Sequence, residues 1–80
     1  MSDIQAIKLT NLPLGQKATI HTITDKSLSA KFYEMGCLPG ESIEVKYLAP
    51  LGDPIAVEVS GYVLSLRRAE AQQVEVVVCD

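Results

Sequence analysis

Five short runs of this chain alternate apolar and polar side chains with period two, and glycine or proline interrupts the chain between most of them. In the first, Lys17 to Ile23, Ala18 and Ile20 fall on one face and Thr19 and His21 on the other. In the second, Ile43, Val45 and Tyr47 alternate with Glu44 and Lys46. In the third, Ile55, Val57 and Val59 alternate with Ala56 and Glu58. In the fourth, Tyr62, Leu64 and Leu66 alternate with Val63 and Ser65, and in the last Val74, Val76 and Val78 alternate with Glu75 and Val77. Alternation of this kind is the signature of a strand with one buried face. Pro13-Leu14-Gly15, Gly36 to Gly40, Pro50 to Pro54 and Gly61 supply the breaks and the turn geometry.

One segment has a different period. Leu28, Phe32 and Met35 stand at the i, i+4, i+7 spacing of a helix stripe. Ser27 is the expected N-cap, Gly36 the C′ residue and Pro39 the stop, which gives a helix over Ser27 to Met35. About ten residues are too few to hold a helix alone in water, so the stripe must dock on the sheet. Leu9 to Pro13 reads as a short turn or 3₁₀ segment capped by Thr10 and Asn11, with Leu9 and Leu12 tucked under the domain. Arg67 to Gln72 reads as a short polar helical turn. A flat five-stranded sheet this small would leave its edges and one apolar face in water, whereas a barrel removes most of that exposure. The expected architecture is mainly β: a small five-stranded SH3-like barrel with one short inserted α-helix, formed as a single domain over residues 1–80. Its inward set is Ile20, Ile43, Val45, Ile55, Val57, Val59, Leu64, Leu66, Val74 and Val76, with Tyr47 and Tyr62 in inward register.

Composition narrows the function. Hydrophobic residues make up 48% of the 80, and 7 Lys+Arg stand against 10 Asp+Glu for a net charge of −3. That is too apolar for intrinsic disorder and too acidic for a nucleic-acid binder, which needs clustered cations. No stretch approaches the ~20 apolar residues of a membrane-spanning helix. Met1-Ser2-Asp3-Ile4 has no basic n-region, so a cleaved signal peptide is not expected and the cytoplasm is the expected compartment. Cys37 and Cys79 are too few and too far apart for a disulfide framework, and are expected to behave as small apolar residues.

Catalytic patterns are lacking. His21 is the sole histidine, whereas metal sites draw on several convergent ligands. It is therefore expected on the solvated face, with no metal and no cofactor bound. Cys37 falls near a helix C-terminus, where the dipole has the wrong sign to stabilise a thiolate. Glu44 and Glu58 belong to a solvated outer face, where Lys46 pairs with Glu58 across strands. The expectation is a binding protein and not an enzyme. Two readings of the outward apolar residues stay open. In one, the docked helix covers Leu48, Ala56, Val63 and Val77 as a second small core. In the other, Leu38, Leu48 and the Leu51 loop tip stay exposed as a partner-binding groove. A conventional proline-peptide groove is lined by aromatics, and this chain has three Tyr, one Phe and no Trp.

Four stretches together carry a resemblance. They are Leu9-x-x-Leu12-x-x-Gly15; Phe32-x-x-Met35-Gly36-Cys37-x-Pro39-Gly40-x-x-Ile43; Pro50-Leu51-Gly52-Asp53-Pro54-Ile55; and Leu66-Arg67-x-x-Glu70-Ala71-x-x-Val74-x-Val76. In this order the chain resembles the FeoA family of ferrous iron transport proteins from about Leu9 to Val78. The sequence departs from the family pattern at Lys31-Phe32, where Arg-Leu is frequent, and at Cys37, where an aliphatic residue is usual. The resemblance implies a cytoplasmic accessory protein of bacterial ferrous iron uptake that docks on FeoB, a membrane transporter with a cytoplasmic GTPase domain, and modulates it. The candidate partner-binding residues are Leu38, Leu48, Pro50, Leu51, Gly52 and Lys31. The alternative is an Fe²⁺-sensing regulatory domain that uses His21 with nearby carboxylates such as Asp25 and Glu34. Strand edges and the apolar loop tip also allow association with a second copy. The same barrel type resembles the C-terminal domain of iron-dependent repressors, without their DNA-binding part.

Overall fold

The computed structural model describes residues 5–79. The elements run β1 (Ala6–Lys8), a 3₁₀ turn (Leu9–Asn11), β2 (Lys17–Ile23), α1 (Lys26–Glu34), β3 (Ser42–Leu48), β4 (Ile55–Val59), β5 (Tyr62–Leu66), α2 (Arg68–Ala71) and β6 (Val74–Val78). The strands form one antiparallel sheet in the order β1-β6-β2-β3-β4-β5. The architecture is mainly β with one short inserted helix, as expected, but the strands number six and not five. The extra one is β1, which adds to β6 with Ile7 opposite Val76. Three residues are too few for alternation to show in a sequence, and β6 is what makes them a strand.

All but one of the expected inward set are fully buried, and Leu64 packs half-buried against the rest. A flat sheet could not bring rows from β2 through β6 into a single cluster, so the sheet curls around it. Leu9 and Leu12 close the cluster from the 3₁₀ turn, as expected. That turn has no side-chain cap from Thr10 or Asn11; the Leu12 N–H bonds back to the Leu9 carbonyl.

Helix α1 contributes Leu28 and Phe32 to the same core. Its cap is Asp25 and not Ser27. The Asp25 carboxylate accepts from the N–H groups of Ser27 at 2.8 Å and Leu28 at 3.3 Å. The carboxylate also places a negative charge at the positive end of the helix dipole. Met35 leaves the expected stripe and is exposed, since it is already the C-cap with non-helical backbone. Gly36 takes a positive φ of 79° as the C′ residue. Its N–H bonds to the Tyr33 carbonyl at 3.1 Å and that of Cys37 to the Phe32 carbonyl at 2.8 Å. This is a Schellman motif, whose C″ residue is commonly apolar and packs toward C3. Cys37 and Phe32 hold those two places, and both are buried.

A β-bulge corrects the reading of β3. Val45 faces Val57 but Tyr47 faces Ala56, so Lys46 is the extra residue. One inserted residue moves every later side chain to the other face. Tyr47 is therefore 57% exposed instead of inward. Leu48 turns to pair with the buried Ile55, yet at the end of the sheet it is still 43% exposed. Tyr62 keeps inward register opposite Val59, but as the first residue of an edge strand it is also exposed. The second small core does not form: Leu48 and Val63 are exposed, and Ala56 and Val77 half-buried. A second bulge, in β2, makes His21 the extra residue between Ile20 and Thr22, on the exposed side as expected.

Because Phe32 is buried and Tyr47 is not, their truncations should differ sharply. Phe32→Ala is expected to cost about 3–5 kcal/mol in urea unfolding. Tyr47→Ala is expected to stay within about 0.5 kcal/mol.

Candidate functional site

The β3–β4 connection is the most unusual part of the surface. Leu48 pairs with Ile55, and beyond that pair the Ala49 N–H bonds to the Pro54 carbonyl at 3.2 Å. Inside this clasp the Gly52 N–H bonds to the Ala49 carbonyl at 2.7 Å. Ala49 to Gly52 is thus a hydrogen-bonded four-residue turn with Pro50 at its second position, where the ring presets φ, and glycine at its fourth. Gly52 has φ +81°, a conformation that side chains other than glycine disfavour. Leu51 sits at the tip of this turn and is 94% exposed.

The loop is also held from outside. Asp53 Oδ1 accepts the backbone N–H of Arg68 at 3.0 Å, which ties it to the start of α2. The α2 turn is itself fixed by Glu70, whose Oε1 accepts the Arg67 N–H at 2.9 Å. Glu70 therefore serves the Arg67 backbone, while the guanidinium, with no acceptor atom, cannot complete a reciprocal capping box. A leucine is thus presented to water on a stiffened turn. An apolar group on ordered backbone loses little flexibility when a partner covers it.

The sequence-derived candidates divide into two places. Leu48, Pro50, Leu51 and Gly52 gather on this connection. Lys31, exposed on α1, lines an open cleft with Asp53, Pro54, Ser65, Arg67 and Glu70, beside the same loop. Leu38 is not brought to them. It begins the Leu38–Glu41 turn, with Pro39 second and Gly40 third at φ +98°, a type II pattern closed by the Glu41 N–H to the Leu38 carbonyl. That turn leads into the start of β3, about 20 Å of strand away from the Leu51 end, and Leu38 is half-buried. Sequence reasoning missed Asp53 as the loop's tether and Arg68 as its neighbour, since fifteen positions separate them.

Elsewhere on the sheet, the β3 cation is held by two carboxylates. Lys46 Nζ lies 3.2 Å from Glu58 and 3.3 Å from Glu44, as expected for Glu58. The Glu58 carboxylate first, and Glu44 with it, raise the Lys46 pKa. Ser60 donates to Glu41 at 2.9 Å. Among the described residues no group of three or more His, Cys, Asp or Glu side chains converges to hold a metal ion. His21 stands exposed and, among the described residues, belongs to no such group. Among the described residues no helix is long and apolar enough to cross a membrane.

Fold and site together define a small β module that presents an apolar loop tip. The comparisons with known proteins are specific. A family model described as FeoA domain matches residues 7–78, and the chain belongs to the FeoA domain family. The chain is 35% identical over 71 residues to the Fe(2+) transport protein A/Fe(2+) transporter FeoB fusion protein of Porphyromonas gingivalis (strain ATCC BAA-308 / W83). That match covers 88% of this chain and spans 8% of the relative's length. Among solved structures, the FeoA protein of Chlorobium tepidum superposes with a TM-score of 0.87 at 31% identity, covering 92% of this chain and 71% of that one. The zinc complex of Stenotrophomonas maltophilia FeoA, described as a procaryotic SH3 domain protein, superposes at 0.74 with 28% identity, covering 91% of this chain and 89% of that one. The SH3-like fold expected from the strand pattern is that of these relatives.

Two outcomes follow from the site's geometry. Asp53→Ala should cost about 1 kcal/mol in urea unfolding, and should speed hydrogen exchange at the amides of Gly52 and Arg68 while leaving β4 protected. Burial first, and the Glu41 carboxylate second, push the Cys37 thiol above its ordinary value of 9.0. The folded state then favours the protonated thiol. Its contribution is fully present below pH 9.0 and is lost as the pH rises through the folded value. The urea midpoint of the wild type should therefore fall more steeply above pH 9.0 than that of Cys37→Ala.

Proposed function

We propose that this chain, working as one domain over residues 1–80, is a cytoplasmic accessory protein of ferrous iron uptake that docks on a FeoB-type membrane transporter and modulates its activity. The observation that carries the reading is the Porphyromonas gingivalis relative, in which a Fe(2+) transport protein A unit and a FeoB transporter share one polypeptide. Fusion holds two modules at an effective concentration in the millimolar range, and evolution has use for it where the modules work in contact. The role is binding and not catalysis. Cys37 is buried, and burial pushes its thiol toward the protonated form.

The contact is the Leu51 tip with Leu48, Pro50, Gly52 and Lys31. Burial of one leucine stabilises a complex by about 1.5–3 kcal/mol when the loop is already ordered. Ferrous iron in this reading is the transporter's cargo and not a resident of this domain.

The test is capture of the transporter from solubilised membranes by the tagged chain, with the transporter's GTP hydrolysis measured with and without the chain. Leu51→Glu is expected to keep the wild-type unfolding midpoint, because the side chain is in water already, and to weaken capture at least roughly ten-fold. Equal capture by Leu51→Glu removes the tip from the contact. Failure of the wild type to capture the transporter or alter its turnover defeats the docking reading itself.

A further inference from the structure

The charges around the loop do not follow the charge of the chain. The protein is acidic, at −3, yet both of its arginines and Lys31, three of its seven cations, gather at the Leu51 end. The Arg68 guanidinium lies against the loop, 3.5 Å from where a Cβ on Gly52 would stand. Arg67 and Lys31 line the cleft on the Asp53–Pro54 side. The two nearby carboxylates accept backbone N–H groups: Asp53 Oδ1 from Arg68 and Glu70 Oε1 from Arg67. Lys31 reaches Glu70 Oε2 only at 3.9 Å. Among the described residues, neither arginine side chain forms an ion pair. Lys46, held by two carboxylates, shows the contrast.

We propose that the Leu51 tip fits an apolar pocket on a protein partner whose rim carries Asp or Glu carboxylates, and that Arg67, Arg68 and Lys31 form the matching cationic rim. The inference rests on the docking reading and adds the chemistry of the partner's surface. Guanidinium groups grip carboxylates through two parallel hydrogen bonds, and arginine is enriched where contacts matter most. A folded protein suits this surface better than a lipid sheet or a phosphate backbone. Asp53 and Glu70 lie in the same cleft, and the whole chain is negative. A uniform anionic surface would meet those carboxylates as well as the arginines. A folded partner can set its carboxylates opposite Arg67, Arg68 and Lys31 and away from Asp53 and Glu70.

The experiment measures association of the chain with the purified FeoB-type transporter in nanodiscs at salt from about 0.1 M to about 1 M, where the screening length drops from about 10 Å to about 3 Å. The variants are Arg67→Glu/Arg68→Glu and Arg67→Lys/Arg68→Lys. Arg67 and Arg68 are exposed and, among the described residues, neither guanidinium forms an ion pair, so the Glu pair is expected to keep the wild-type urea midpoint. The wild-type kon is expected to fall roughly ten-fold over that salt range, and that of the Glu pair to start roughly ten-fold lower with little salt dependence. The Lys pair is expected to keep the wild-type salt dependence and to dissociate faster, because lysine cannot bond in bidentate fashion. If the Glu pair associates like the wild type while Leu51→Glu does not bind, docking stands and the cationic rim is overturned.

A peptide arm decides the inference even if the transporter does not bind. Amide shifts at Lys31, at Leu51 to Pro54 and at Arg67 to Glu70 are followed on adding a capped peptide with a leucine centre and glutamate flanks, and then its lysine-flanked counterpart. Shifts with the acidic peptide alone support the rim, and equal responses overturn it. Co-sedimentation with phosphatidylglycerol vesicles that the Glu pair loses would overturn the choice of a protein partner.

Discussion

One inward row of β-branched side chains leaves water when this chain folds, and the sheet is shaped by that burial. Ile20, Ile43, Val45, Ile55, Val57, Val59, Val74 and Val76 come from four strands, and a chain this short has no second core to fall back on. Bringing those rows together forces the sheet to curl, and curling accounts for the irregularities. The bulges at His21 and Lys46 bend and twist their strands. Ser60 and Gly61, both at positive φ, form the two-residue turn that matches the strand twist between β4 and β5. Phe32 then fills the core from the helix, and the Schellman ending brings Cys37 in after it.

Core and site are linked through the ends of the strands. Once β3 and β4 are fixed by their inward residues, the six-residue stretch between them has to turn back at the rim. Pro50 and Gly52 supply the dihedral angles, and the clasp at Ala49 and Asp53 removes slack. The outcome is an apolar tip that the fold does not need for its own stability. A small domain that exposes leucine on stiff backbone is suited to recognition, because the entropy of ordering the loop has been spent during folding.

Much of this was legible in the residues. Five strands, the helix and the 3₁₀ turn announce themselves by period and by punctuation, and the exposed Leu51 was visible from its proline and glycine neighbours. The misreadings have specific causes. β1 is three residues long and carries no period of its own. Tyr47 follows the alternation of Ile43 and Val45 faithfully in sequence, but the inserted Lys46 shifts the register, and a bulge leaves no mark in an apolar–polar pattern. Asp25 and Ser27 are both good caps by residue type, and the choice fell to the one whose side chain reaches the free N–H groups. Leu38 and Leu51 look alike in sequence as apolar residues beside Pro-Gly turns, yet the length of β3 holds them apart.

The period of each element, the turns at Pro39-Gly40 and Pro50 to Gly52, and the family to which the four motif stretches point can all be read along the chain. Each of these depends on local dihedral preference or on side-chain spacing within a few residues, which linear order records. That Asp53 tethers the loop to α2, that Arg68 lies against Gly52, and that Lys31 and Arg67 share one cleft comes from folding in three dimensions. Those contacts join residues from separate elements. They exist because the curled sheet sets the β3–β4 loop, α1 and α2 side by side, and charge near a surface acts through distance in space and not along the chain.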